Sequence, residues 1–394
     1  MPTEPTAVKP SRLWGVLPGQ VLAFSLLFSL VSISLTEGFL FLATALWAVG
    51  LIVEKRRFAA PMFFIPLLAY MALSLLASAY SVNAAVSFRD CREMALYLMI
   101  PVAYMSLRGL GDVRRANYAV YASAAVSVLY AVYRVLFKAG PEERIMGFMG
   151  HYMTQAGLLA LFMSLALAMA LFGKGKARYL WAAGALAAGA ALEMTLTRSA
   201  WIGIAAAAGV LVLIWKPKFV LIVPALVVAV FFASPASVKK RALSIFTLEG
   251  YSNRMRVEYL RAGAGIIRDY PLLGTGPDTV DMVFQNPKYG LSEEAKRNVH
   301  LHNNFVQIAA ERGLPALAAW LAFVVWVGIS LVKVVRARDP ARLPLAAGGL
   351  AALTVLVVAG FFEYNFGDSE IAILFLYLIT MPFAGRAEDP DIHP

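Results

Sequence analysis

The chain has 394 residues, of which 60% are apolar and only 15% are charged, and its formal net charge is +11. Soluble domains are about 45–50% apolar, so this composition excludes an ordinary soluble domain and indicates a protein that lies largely in a membrane. The positive charge does not indicate nucleic-acid binding, because most basic residues flank apolar segments instead of forming one patch. The single cysteine, Cys91, excludes an internal disulfide and a metal site built from several cysteines.

Apolar segments of membrane-spanning length follow one another along the chain. A helix needs about 20 residues to cross ~30 Å of hydrocarbon, and we predict twelve such spans. Nine lie at 15–34, 37–53, 59–79, 94–107, 116–137, 154–172, 179–197, 200–215 and 218–234, and three follow at 314–332, 343–361 and 369–385. The predicted fold is therefore an all-α polytopic membrane protein with about twelve transmembrane helices.

The basic residues between the spans predict the orientation of the chain. One set of alternate loops carries eighteen Lys and Arg residues, whereas the short loops on the other side carry five. Cytoplasmic loops are enriched in Lys and Arg, so both termini are predicted to be cytoplasmic and the long polar segment 235–301 to be outside. The chain then divides into nine helices (1–234), a large external loop ending in a polar motif (235–313), and three helices with a cytoplasmic tail (314–394).

The external loop has local structure of its own in the sequence. Residues Tyr259 to Tyr270 have helical spacing, and 271–277 (PLLGTGP) is a turn rich in Gly and Pro. Residues 304–312 have the pattern of a short amphipathic helix that leads into the tenth span.

Among the arginines on the predicted external side, four are candidates for substrate binding, namely Arg89, Arg198, Arg254 and Arg256. A guanidinium group suits phosphate, because its planar fork donates parallel hydrogen bonds and keeps its charge. Arg198 lies between two apolar spans, where an ionisable group is costly unless it is paired or functional. A helix-end anchor whose side chain reaches back to the interface is the structural alternative for Arg198.

Two of the four histidines, His300 and His302, lie at the end of the external loop. An imidazole is suited to proton transfer near neutral pH, so His302 is a candidate base. The structural alternative is a histidine that only hydrogen-bonds a backbone carbonyl. Two histidines are a poor metal site without a third ligand, and the sequence has no HExxH motif or cysteine cluster. We therefore expect no metal and no cofactor.

Four segments together resemble the O-antigen ligase family, which belongs to a wider group that includes O-antigen polymerases. They are TLTRSAW (195–201), RMRVEY (254–259), RDYPLLGTGP (268–277) and HLHNNFVQIAAERG (300–313). His302 and Asn303, followed by nine residues and Gly313, match the histidine signature of the family, whereas Ala316 departs from its last position. In the family, one span ends in a segment of the type Ser-Arg-Gly-Ala. Residues 197–201 (TRSAW) match this segment, with Thr in place of Ser and Ser in place of Gly. The family's loop arginine falls best on Arg256, with Arg254 as the near alternative.

The resemblance implies a metal-independent, inverting membrane glycosyltransferase whose active site faces the periplasm from the bacterial inner membrane. It would transfer polysaccharide from an undecaprenyl-diphosphate-linked O-antigen donor to a lipid A-core acceptor. His302 would be the general base, and the diphosphate would be bound by Arg198, Arg256, Arg254 and Arg89. Besides membrane lipids, these substrates are the partners implied. An O-antigen polymerase and a transporter of anionic substrate or lipid-linked sugar are the alternatives.

Overall fold

The computed structural model describes residues 12–138, 140, 143–244 and 251–385. These residues form sixteen α-helices and no strand, so the predicted all-helical fold is confirmed for the described part of the chain. The helices are α1 (Arg12–Leu27), α2 (Ile33–Val53), α3 (Phe64–Ala79), α4 (Ala84–Asp90), α5 (Met99–Ser106), α6 (Leu110–Phe137), α7 (Tyr152–Phe172), α8 (Ala177–Met194), α9 (Arg198–Trp215), α10 (Ile222–Ala233), α11 (Ala236–Leu243), α12 (Tyr251–Asp269), α13 (Val280–Phe284), α14 (Asn304–Ala337), α15 (Leu343–Ala359) and α16 (Ser369–Thr380). The predicted cytoplasmic tail beyond Gly385 lies outside the described residues.

The helices are those of a membrane protein. Among the described residues, α2, α6, α7, α9 and α14 are long and apolar enough to cross a membrane, and five shorter apolar helices have 10–17 residues. The number of spans, twelve, remains a prediction. The predicted span 94–107 is not one helix, because it is divided at Met99 between a 3₁₀ helix (Cys91–Leu98) and the short α5. The first of these pieces contains Arg92 and Glu93, which interrupt its apolar character.

The centre of the bundle is formed by α7, α15 and α16. Helix α7 packs against α8, α9 and α15, and α15 also packs against α9, α14 and α16. Every residue of α16 from Ile371 to Thr380 is buried, which agrees with a helix that is apolar on all sides. In contrast, α10 has no buried residue, so it lies at the periphery of the bundle.

The polar segment between α10 and α14 forms a second, smaller core at one end of the bundle. One face of α12 contributes Met255, Tyr259, Ala262 and Ile266, which recur at helical spacing, to this core. Helix α13 adds two residues, and the start of α14 closes the core from the other side. The predicted helical segment 259–270 lies mostly within α12, which extends it toward the N-terminus.

Helix α14 is broken at Gly313, whose φ of +82° and ψ of 169° are not helical. The predicted amphipathic helix 304–312 is therefore a separate segment before the long apolar remainder of α14. The turn 271–277 packs directly on its backbone, because Thr275 N–H donates to the Ala310 carbonyl (2.9 Å) and Gly276 N–H donates to the Glu311 carbonyl (2.8 Å). This contact fixes the segment that directly follows the candidate base.

Candidate functional site

The backbone around His302 is held from both sides. Its φ is +49°, a left-handed conformation that non-glycine residues adopt rarely. The next residue, Asn303, caps α14: its side-chain oxygen accepts from the N–H groups of Phe305 (2.9 Å) and Val306 (3.0 Å). The amide nitrogen of Asn303 donates to the Phe361 carbonyl (2.9 Å), beyond the end of α15. The backbone conformation at His302 and the contacts of Asn303 together fix the direction in which the imidazole points.

The imidazole of His302 is paired with the carboxylate of Glu363, in the loop between α15 and α16. His302 Nδ1 lies 2.9 Å from Glu363 Oε1, and the two side chains are only 18% and 15% exposed. Burial alone would raise the pKa of the Glu363 carboxyl, but His302 and the charge of Arg256 hold that pKa below its usual value. Because an ionised carboxylate can only accept, the proton of the neutral ring lies on Nδ1. Nε2 is then the atom available as a base.

Arg198 is the first residue of α9 and is buried at 6% exposure. Its guanidinium donates to the Ser244 carbonyl and to Asn253 Oδ1, each at 2.7 Å, and more weakly to the Ser252 hydroxyl (3.4 Å). These partners are all neutral, so they position the guanidinium without cancelling its charge. Arg198 therefore connects the start of α9 to the end of α11 and to α12.

Arg256 lies on α12 and reaches the loop between α15 and α16, which also carries Glu363. Its Nε donates to the Phe362 carbonyl (3.2 Å), and its Nη1 donates to the Ser252 hydroxyl (3.3 Å) that Arg198 also contacts. Burial lowers the pKa of Arg256, while Glu363 opposes that shift. The side chain stays a cation at neutral pH and lies between Arg198 and the His302–Glu363 pair.

Two further arginines, Arg144 and Arg241, complete a cluster of four. Both donate to the carbonyl of Leu196, at 3.1 Å and 3.2 Å, and Arg144 also donates to the Thr195 carbonyl (2.9 Å). Leu196 has a φ of +52°, which belongs to the tight turn between α8 and α9. Burial lowers the pKa of Arg144 to about 10, and the charges of Arg241 and Arg256 add to that shift. Four cations so close together are stabilised when an anion binds among them.

Not all of the predicted arginines lie in this cluster. The structure brings His302, Arg198 and Arg256 together, but it does not bring in Arg254 or Arg89. Arg254 is exposed, and it precedes Arg256 by two positions, so it lies on a different face of α12. Arg89 is exposed on α4, and in the described part of the chain no hydrogen bond or ion pair joins it to the cluster. The roles of all five residues remain predictions.

Glu363, Arg144 and Arg241 were missed from the sequence. A carboxylate just beyond the predicted end of an apolar span was a usable signal for Glu363, since such a residue is costly at an interface without a partner. Arg144 and Arg241 gave a weaker signal, because external loops contain scattered basic residues without a specific role. Their proximity to Arg198 arises only from the turn at Leu196.

A buried charge network supports the site from behind. Arg312 donates to Asp90 on α4 (2.7 Å), to its neighbour Glu311 (2.6 Å) and to the Tyr364 hydroxyl (3.3 Å). Removing one partner from a buried ion pair typically costs about 3–5 kcal/mol. Because Tyr364 follows Glu363 in the chain, this network also fixes the loop that carries the carboxylate partner of the candidate base.

The described residues contain no group of three or more His, Cys, Asp or Glu side chains placed to hold a metal ion. Arginines give the site its positive charge, and the imidazole that a carboxylate holds is the candidate proton acceptor. Such a site can bind a diphosphate and take a proton from a hydroxyl group at the same time.

Comparison with known proteins gives one family. The family model described as O-antigen ligase matches residues 183–321. The matched segment runs from α8 into α14 and contains Arg198, Arg241, Arg256 and His302, but it ends before Glu363. No curated protein matches the chain.

Proposed function

We propose that this chain, whose residues 183–321 match the family model described as O-antigen ligase, transfers a polysaccharide from undecaprenyl diphosphate to the lipid A-core oligosaccharide. The observation that carries the proposal is the His302–Glu363 pair beside four arginines at one end of the helical bundle. The polyprenyl tail would lie among the apolar helices, with the diphosphate at the arginines and the sugars in the polar region beyond.

The arginines fit the diphosphate that leaves during transfer. Negative charge develops on the diphosphate oxygen when the bond to the anomeric carbon breaks, and preorganised cations stabilise such charge best where water is excluded. Arg198 and Arg256 carry this role in the proposal, with Arg144 and Arg241 beside them. Because these side chains supply the positive charge, we propose that transfer needs no divalent metal. Arg89 and Arg254, which are exposed and lie outside the cluster, contact the donor at the edge of this site in the proposal.

His302 fits the proton acceptor. In the proposed step an acceptor hydroxyl oxygen forms a bond to the anomeric carbon, and the bond from that carbon to the diphosphate oxygen breaks. The hydroxyl proton passes to His302 Nε2, and Glu363 stabilises the imidazolium that results. A single displacement of this kind inverts the configuration of the anomeric carbon.

We propose that the protein has twelve spans, that segment 235–301 is external, and that the site faces the periplasm from the inner membrane. The asymmetry of basic residues supports this orientation. All of the site residues lie at the end of the bundle from which segment 235–301 emerges, as the topology requires.

A polymerase and a transporter are the two alternatives to a ligase. A polymerase of the same superfamily would use the same chemistry with a lipid-linked glycan as acceptor, and the departure at Ala316 leaves this alternative in place. A transporter would need anion sites along the depth of the bundle. The four clustered arginines all lie at one end of it, which favours an enzyme.

A deletion strain tests the proposal. For a ligase, we expect lipopolysaccharide to lose its long chains while lipid-linked polymer accumulates. A core that carries one repeat unit would indicate a polymerase instead. Normal long-chain lipopolysaccharide in the deletion strain would contradict both, and complementation with the intact chain is the control.

A further inference from the structure

A cavity of about 260 Å³ lies beside the His302–Glu363 pair, among the ends of α7, α9, α15 and α16. His151, Thr197 and Asp368 line it, and they are the residues at the N-caps of α7, α9 and α16. Thr197 and Ser199, which flank Arg198 in the chain, form the wall next to the arginine cluster. The cavity is therefore adjacent to both the proposed diphosphate site and the proposed base.

The polar groups of the cavity include two carboxylates. Asp368 Oδ2 accepts from the Thr154 hydroxyl (2.7 Å), and that hydroxyl lies 3.5 Å from His151 Nδ1. Glu363 Oε1 holds His302, but Glu363 Oε2 is buried and has no hydrogen-bond partner among the described residues. A buried carboxylate oxygen without a partner is costly, so it points to a donor that a ligand supplies.

The remaining wall has aromatic and imidazole faces. His300 packs on the ring of Tyr364 with 5.5 Å between centroids. Burial lowers the pKa of His300, so its ring is neutral at pH 7 and can both donate and accept a hydrogen bond. The cavity thus combines carboxylate acceptors, a neutral imidazole and an aromatic face.

This combination suits a sugar ring better than a phosphate. Hydroxyl groups donate to carboxylates, whereas a phosphate would be repelled by Asp368 and Glu363. The volume lies below the range of about 300–1,000 Å³ that is typical for pockets of drug-sized ligands, so it favours one ring over a longer glycan.

We propose that the cavity binds the sugar ring that is bonded directly to the donor diphosphate, with Asp368 and Glu363 Oε2 accepting hydrogen bonds from its hydroxyls. The inference rests on the proposed function. The ring attached to the diphosphate is favoured over an acceptor sugar. Only that ring is bonded to the diphosphate, so only that ring must lie directly beside the group that Arg198 holds. Thr154 and His151 are positioning residues that hold and orient Asp368.

Two probes and one variant test the proposal. The probes are a short-chain polyprenyl diphosphate and the same lipid diphosphate carrying one sugar of the natural donor. In Asp368→Asn we expect the sugar-bearing probe to bind about tenfold more weakly, as for loss of a hydrogen bond to a charged group. The sugar-free probe should bind as it does to the wild-type protein. Asn caps a helix about as well as Asp, so α16 should keep its start.

One control variant and one second test variant accompany Asp368→Asn. Asp339→Asn changes the same kind of group at the other end of the bundle, where Asp339 Oδ1 accepts from the Ala341 N–H (2.9 Å), and it should bind both probes normally. Thr154→Val, which keeps the side-chain volume and removes the hydroxyl that holds Asp368, should repeat the selective loss in a milder form. It provides a second measurement if Asp368→Asn folds poorly.

The outcomes separate the two proposals. If the wild-type protein binds neither probe, the proposed function fails. If it binds both but Asp368→Asn and Thr154→Val bind both normally, the sugar cavity is wrong. Equal weakening of both probes would also overturn it, because the loss would not depend on the sugar. A raised KM for the acceptor alone would assign the cavity to the acceptor and contradict the donor assignment.

Discussion

At the scale of single residues, the pairing of His302 with Glu363 gives the sharpest expectation. General-base assistance is typically worth about 10²–10⁴-fold in rate, so His302→Ala should lower single-turnover transfer by that order while donor binding persists. Glu363→Gln should also lower the rate, because the amide NH2 can donate to Nδ1 and favour the wrong tautomer, and a neutral amide stabilises the imidazolium less. His300→Ala should have a milder effect. Normal transfer in His302→Ala together with an inactive His300→Ala would show that the base is the other histidine.

The residues that could be predicted from the sequence differ from those that could not in one physical respect. His302, Arg198 and Arg256 stand in local patterns, whereas Glu363 and Arg144 acquire their place only through contacts made far along the chain. Glu363 is 61 residues from His302, and no periodicity links them. Arg254 and Arg256 could be separated only by the face of α12 on which each lies.

At the scale of elements, the packing of turn 271–277 on the first segment of α14 decides where His302 lies. Gly274 has a φ of +66°, and a Cβ there would lie 2.2 Å from the Glu311 carbonyl carbon. Gly290 has nearly the same φ, +67°, but open space around a Cβ. Both alanine variants incur about 1–2 kcal/mol of left-handed strain, and only Gly274→Ala adds an overlap with backbone.

We therefore expect Gly274→Ala to lower the thermal unfolding midpoint more than Gly290→Ala does, and to abolish most of the transfer. Overpacking typically adds about 1–3 kcal/mol, and a displaced α14 segment would move the imidazole away from Glu363. The measurements are thermal unfolding in detergent and single-turnover transfer. Equal midpoints and equal rates in the two variants would mean that the close backbone contact has no part in holding the site.

The elements themselves were largely predictable, because apolar runs of fixed length have few alternatives in a membrane. Their breaks were harder to predict. The predicted span 94–107 is divided at Met99. Pro101 lies in the first turn of α5 and has no N–H to donate back to Tyr97, so it favours a break before it. The break at Gly313 follows from a contact with Leu272, whose carbonyl oxygen would lie 2.1 Å from a Cβ at that position. Such a contact depends on tertiary packing that local propensity does not report.

At the scale of the whole molecule, the site residues share one end of the bundle, so their proposed role depends on which side of the membrane that end faces. The single cysteine makes this testable, because Cys91 is buried and should give a low labelling background. Glu294 is exposed in the segment proposed to be external, and Lys174 is exposed between α7 and α8. Variants that add one cysteine at either position, Glu294→Cys and Lys174→Cys, place a new thiol at one end of the bundle or at the other.

In cells with a permeabilised outer membrane, we expect a membrane-impermeant maleimide to label Glu294→Cys and not Lys174→Cys. Lysing the inner membrane should make Lys174→Cys reactive, and the unchanged chain is the control for background at Cys91. The reason is the excess of Lys and Arg in the loops on the side of Lys174. Labelling of Lys174→Cys alone in unlysed cells would place the arginine cluster and His302 in the cytoplasm. A periplasmic acceptor could then not reach the imidazole, and the ligase mechanism proposed for this site would be wrong.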